Sequence, residues 1–190
     1  MKVVDIHERE FDAPPAAVGA LLDSLSSRED RLWPIHCWPR MTFDRALGVG
    51  ASGGHGPIRY RVEAYSPEES IRFRFSGPRG FDGGHGFELI HASGAKTGLR
   101  HTLEMKVHGI ARLSWPLVFR PLHHALIEDS LATAEASLGL SPRLEPWSGW
   151  VRLLRWAMSA GRAPIQNVPR QAQRTTTTAG TRRAGVAPGL

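Results

Sequence analysis

Apolar and polar positions alternate with period two along Val3–Phe11, the pattern of a strand with one buried face. Ala13-Pro14-Pro15 ends it, because proline serves poorly in a strand ladder and well at a helix start. Val18, Leu21, Leu22 and Leu25 then recur at helical spacing, which predicts a helix over Ala16–Ser26, slightly weakened by Gly19. Glu29–Pro39 (EDRLWPIHCWP) reads as a short helical turn and loop, since residues preceding proline disfavour a long helix. Period-two alternation returns in Met41–Val49, Ile58–Ala64, Ile71–Phe75, Gly83–His91 and Leu99–Val107. Outward positions such as Arg59, Arg61, Arg72 and Arg74 are charged. The breaks Ser66–Ser70, Gly77–Gly80 and Ser93–Gly98 are rich in turn formers, so the strands join through short hairpins into an antiparallel β-sheet of about six strands.

Such a sheet needs a cover for its apolar face, and the stretch long enough to supply one is Trp115–Leu138. Pro116 and Pro121 fall in its first turns. Leu122, Ala125, Leu126, Leu131, Ala134 and Leu138 make a broad stripe, and Gly139 is placed to cap its end. The expected fold class is α+β, a sheet gripping a long C-terminal helix. Trp147–Ala160 should form a short amphipathic helix with Trp147, Trp150, Val151, Leu154 and Met158 on one face. Ser148, Arg152, Arg155 and Ser159 gather opposite, and Trp156 departs from the pattern. From Ala163 onward Pro, Gly, Gln, Arg and the Thr175–Thr178 run leave little apolar surface to bury. The chain therefore divides into a domain over 1–140, a linker with a short helix over 141–160, and a disordered basic tail over 161–190.

Composition narrows the function classes. A chain of 190 residues, 41% hydrophobic and 22% charged, suits one ordinary domain. No run of about 18 apolar residues occurs and Met1–Phe11 alternates charge with apolar residues, so neither a membrane span nor a secretory signal is expected, and the expected location is cytoplasmic. The lone Cys37 forms no internal disulfide and lacks zinc-type spacing around it. The net charge of +6 is uneven: all 18 carboxylates and 17 of the 24 Lys/Arg precede residue 146, and seven arginines follow. Basicity thus belongs to the tail, and no nucleic-acid partner is expected of the domain. A basic, tryptophan-bearing helix over 147–160 suits a membrane interface or a partner groove, but it is read here as cover for an exposed part of the same domain.

The element order, together with FDAPPAAV (Phe11–Val18) at the first strand-to-helix step, resembles the START-like, helix-grip proteins that include Bet v 1 relatives and polyketide cyclases. The resemblance spans about residues 2–140. It implies a cavity between curved sheet and long helix that holds a hydrophobic ligand, and it brings no catalytic motif. The implied function is binding of a small hydrophobic or aromatic molecule. The alternative is an enzyme of the cyclase, aromatase or dehydratase kind that uses a cavity histidine.

Nine histidines, all before Leu126, are the richest chemical signal. Strand parity turns His101 inward with Leu99, Leu103, Met105 and Val107, and His85 and His91 inward with Phe87 and Leu89. Tyr60 follows the same rule, as does Arg45 if Met41, Phe43 and Leu47 are inward. Burial keeps a histidine neutral near pH 7, which suits a hydrogen bond to a ligand oxygen or general-base work. The plain alternative is a core histidine bonded to a backbone carbonyl. Candidate site residues are therefore His101, His85, Tyr60, His91 and Arg45, with Phe73, Phe75, Phe87, Leu103 and Phe119 as apolar lining.

The tetrapeptide GGHG occurs at Gly53–Gly56 and Gly83–Gly86, expected as glycine loops or tight turns flanking a pocket mouth, with His108 near the same end. No carboxylate motif accompanies these histidines, so no metal site is expected. No cofactor is expected either: Gly48-Val-Gly50-Ala-Ser-Gly53 carries the letters of a dinucleotide fingerprint but leads into a strand instead of a helix. His124 and Glu128, one turn apart, read as helix support.

Overall fold

The alternating segments pair into one seven-stranded antiparallel sheet in the computed structural model, which describes residues 1–91 and 96–159 and not the side chain of His91. The strands are β1 (Lys2–Phe11), β2 (Thr42–Phe43), β3 (Ser52–His55), β4 (Ile58–Ser66), β5 (Ser70–Gly77), β6 (Phe81–His91) and β7 (Thr97–Val107), in spatial order β1-β7-β6-β5-β4-β3-β2. Helix α1 (Pro15–Asp23) begins on a proline and covers one end of the sheet through Val18, Leu21 and Leu22. The loop after it is pinned by Asp30, whose carboxylate accepts from the backbone N–H groups of Ser26, Leu32 and Trp33. One helical turn follows, in which Cys37 and Trp38 bond back to the carbonyl of Pro34.

Two strand expectations need correction. Met41–Val49 is not a strand beyond Thr42–Phe43, because Asp44 turns the chain out of the sheet: its Oδ1 accepts from Ser52 N at 2.9 Å. The first GGHG is not simply a loop, since Gly53–His55 lie in β3 and only Gly56 in the turn after it, while the second lies in β6, the strand that the alternation over Gly83–His91 predicts. Glycine is needed there for close approach. A Cβ on Gly53 would stand 1.9 Å from the Thr42 carbonyl oxygen, and one on Gly84 2.3 Å from that of Phe73.

The sheet is gripped by α2 (Ala111–Ser114), a π-helical stretch at Trp115–Phe119 and α3 (Arg120–Ser137), which run on as one long helix. Pro121 lacks the N–H that would bond the Leu117 carbonyl, and the Trp150 indole N–H donates to that carbonyl at 2.7 Å instead. Gly139, at φ +75°, ends α3 in a paired cap: Leu140 N bonds Glu135 O and Gly139 N bonds Ala136 O.

Helix α4 (Gly149–Met158) is N-capped by the Ser148 hydroxyl, which accepts from Val151 N. It docks on its own domain through Trp147, Val151 and Arg155, so Arg155, expected on the wet face, is in fact buried at 9% exposure. The Trp147 and Trp38 indoles both donate to Asp129 Oδ2, at 2.8 and 2.7 Å. Arg155 stacks on Trp38, 4.5 Å from the ring centroid, and donates to the Cys37 carbonyl. No helix among the described residues is long and apolar enough to cross a membrane. The tail expected over 161–190 lies outside the described residues.

Candidate functional site

Inward parity on four strands and the facing stripe of the long helix leave a cavity of about 80 Å³ between them. Ile58, Phe75, Phe81, His85, His101 and Leu103 form its sheet wall. Trp115, Phe119, Leu122, His123, Leu126 and Ile127 form its helix wall, and Trp33 and Trp38 close one side. The cavity is not sealed. Gly56 and Pro57 from the β3–β4 turn and Met158 from α4 are exposed residues that also line it, and Arg155 lies beside them.

Five of the sequence candidates, His101, His85, Phe75, Leu103 and Phe119, are among the lining. Tyr60, Phe73 and Phe87 stand one layer behind, where they hold the histidines. Phe73 and Phe75 stack against His85, each with ring centroids 5.0 Å away, Tyr60 meets it edge-on, and Phe87 lies 4.6 Å from His101. Arg45 does not belong to the site. It lies beyond the end of β2 and pairs with Asp44 at 2.9 Å on the surface, its side chain 67% exposed. The side chain of His91 lies outside the described residues.

Sequence reasoning missed His55, His123, Trp33, Trp38, Trp115 and Arg155. Two of these carried a readable signal. His55 is the histidine of the first GGHG, as His85 is of the second, so the repeat delivers both imidazoles to one cavity. His123 lies four residues after Phe119 and four before Ile127, on the helix face that meets the sheet. The tryptophans and Arg155 depend on loop and α4 docking, which local periodicity does not encode.

Burial sets the electrostatics of the site. It pushes the pKa values of His85 and His101 well below the ordinary histidine range, and that of His55 down to about 3, so these rings are neutral. Burial likewise pushes the Tyr60 phenol up, leaving its OH to share a 3.0 Å hydrogen bond with His55 Nδ1. His85 Nδ1 and His101 Nε2 share another at 3.3 Å. The remaining nitrogens, His85 Nε2 and His101 Nδ1, are buried without a hydrogen-bond partner, as is Nε2 of His123. Unmatched polar atoms of this kind are costly, on the order of 1–3 kcal/mol each.

Behind this row the inward positions of β1 are polar. Asp5 Oδ2 meets His123 Nδ1 at 3.1 Å, and His7 Nδ1 meets Glu128 Oε1 at 2.7 Å. Arg9 bridges Glu128 and Glu135. Burial opposes charge on His7, but Asp5 and Glu128 outweigh it and push its pKa up to about 9. The hydrogen bond from His123 and the charge of His7, 3.7 Å away, hold Asp5 far below the usual carboxylate range. Asp5, His7 and His123 bring three side chains of metal-ligating type together in this seam.

A curved antiparallel sheet closed by one long C-terminal helix over an apolar cavity is the helix-grip fold of START-like and Bet v 1-like proteins, and this chain has it. No family model matches the sequence, and no curated protein matches it either. Solved structures do match in fold. Norcoclaurine synthase from Thalictrum flavum, in complex with dopamine and hydroxybenzaldehyde, aligns at TM-score 0.55 and 14% identity over 75% of this chain and 90% of its own. CalU16 from Micromonospora echinospora aligns at 0.53 and 16% over 83% and 87%. A Thermobifida fusca protein aligns at 0.56 and 13% over 75% and 99%.

Proposed function

We propose that this protein binds a small, largely apolar molecule carrying one oxygen function, its ring among the aromatic side chains and its oxygen at the histidine row. The observation that carries this reading is the combination of an open apolar cavity with the unpartnered His85 Nε2 and His101 Nδ1 in its wall. A cavity of about 80 Å³ is smaller than the roughly 150 Å³ void that admits benzene in a designed apolar core. The guest is therefore compact, and part of it occupies the rim between Pro57 and Met158. Norcoclaurine synthase, which shares the fold, is seen holding dopamine and hydroxybenzaldehyde, small oxygenated aromatics of this class.

The test compares two probes of equal shape, p-cresol and p-xylene, by ligand-observed NMR on the full chain. The expected result is binding of both, with p-cresol tighter by about tenfold, and loss of that preference in His101→Phe. Filling the cavity with Leu103→Trp should abolish both. Absence of binding by either probe, or a preference that survives the histidine substitution, would sink the reading.

A second reading is favoured by the hydrogen-bonded, neutral His85–His101 pair, which can move a proton within an apolar site. On that reading the protein is an enzyme of the cyclase, aromatase or dehydratase kind. A His85→Gln protein that keeps p-cresol affinity yet loses turnover of a polyketide-like substrate would establish it, and unchanged turnover would refute it.

A further inference from the structure

We propose that Asp5, His7 and His123 form a site for a divalent transition metal of the zinc class, at the back of the apolar ligand cavity whose wall His123 shares. Two adjacent inward positions of the edge strand β1 supply Asp5 and His7, and α3 lays His123 across them. Their ligand atoms lie within 4.8 Å of one another. Asp5 Oδ2 is 3.1 Å from His123 Nδ1, and Asp5 Oδ1 is 3.7 Å from His7 Nε2. Ligands at 2.0–2.2 Å from a tetrahedral zinc stand roughly 3.3 Å apart, so an ion fits with small side-chain shifts.

Three further features suit a metal better than a plain ion-pair seam. His7 Nε2 is buried on a side chain only 5% exposed and has no hydrogen-bond partner, so an ion that displaces its proton takes a position no other group fills. The opposite nitrogen, Nδ1, bonds Glu128 Oε1 at 2.7 Å, the outer-shell carboxylate that orients a ligating histidine and raises its basicity. Arg9 in turn holds Glu128 at 2.6 Å, which fixes that carboxylate in its supporting place. Access is open as well: Asp5 and Glu128 line a separate open cleft of about 420 Å³ between the long helix and the segment leading to α4. Three protein ligands leave at least one coordination position for water or an anion from that cleft.

The experiment titrates the untagged full chain with Zn²⁺ by calorimetry and with Co²⁺ by absorption. One equivalent should bind, with Co²⁺ giving the intense visible bands of low-coordinate geometry. His123→Gln and His7→Gln should each weaken binding at least tenfold, while the exposed His36→Gln leaves it unchanged. Circular dichroism and a thermal melt show whether each variant is folded. If the seam variants do not fold, the cobalt spectrum and the one-to-one stoichiometry of the native chain decide alone. Failure of the native chain to bind at 100 µM metal, or binding that folded seam variants retain in full, overturns the proposal. Its failure leaves the p-cresol result untouched, since that assay contains no metal.

Discussion

Asp129 shows how one side chain joins distant parts of the chain. Its Oδ2 accepts both the Trp38 and Trp147 indole N–H groups, and at 5% exposure it is shut away from water. In Asp129→Ala both donors lose this acceptor in a buried place, at about 1–3 kcal/mol each. The expected outcome is a loss of about 2–4 kcal/mol in urea unfolding, with faster amide exchange in α4 than in the sheet. Asp129→Asn, which keeps an acceptor, should lose less. A substitution without effect on either measurement would show that the indoles are held by something else. At this scale the sequence was readable where side-chain direction follows from strand parity: His85, His101, Phe75 and Leu103 alternate with polar or glycine neighbours, and they line the cavity. Arg45 failed the same rule because the Asp44 turn removes the strand beneath it. Asp5 and His123 were invisible as a pair, since 118 positions separate them and no local pattern reports that distance.

Among the elements, β3 and β6 carry the clearest device, a glycine-rich strand that admits a neighbouring backbone where a side chain would collide. Gly84→Ala puts a methyl 2.3 Å from the Phe73 carbonyl oxygen, a backbone atom that moves only with its strand. The expected cost is about 1–3 kcal/mol or more, read as a lower melting temperature. Gly48→Ala is the matching control: the nearest atom to its new methyl is 4.0 Å away, so a change below about 0.5 kcal/mol is expected. Equal effects in the two variants would mean that β6 relaxes freely. Glycine in GGHG suggested a turn because turns are where glycine is commonest, whereas here the constraint is contact across the sheet. The long helix and its cap at Gly139 were legible, while the π-helical stretch was not: it arises where Pro116 and Pro121 interrupt the regular bonding pattern, and the missing bond is completed by Trp150 from another helix.

The whole molecule holds neutral imidazoles in an apolar interior, and this couples its stability to pH. His55 has a pKa of about 3 in the fold against an ordinary 6.5, so between those values the unfolded chain binds a proton that the folded chain does not. Its contribution is complete above pH 6.5 and is lost as pH falls toward 3. His85, also pushed down by burial, adds to the same loss. His7 has the opposite sign: its raised pKa adds stability that is fully present below pH 6.5 and fades as pH rises through 9, so it does not blur the acid limb. The urea midpoint should therefore fall steadily from pH 6.5 to 4, and His55→Gln should flatten that slope. An unchanged slope in the variant would mean that His55 takes up a proton in the fold with ease.

The docking of α4 bears on where such a protein can be cut. Arg155 and Met158 belong to the cavity wall, and Trp147 covers the back of Trp38. A fragment trimmed at residue 140, where the strand-and-helix pattern suggests a finished unit, would be a bowl with one side knocked out. Its indole at position 38 would face water, and any guest would leak away faster than from the intact vessel.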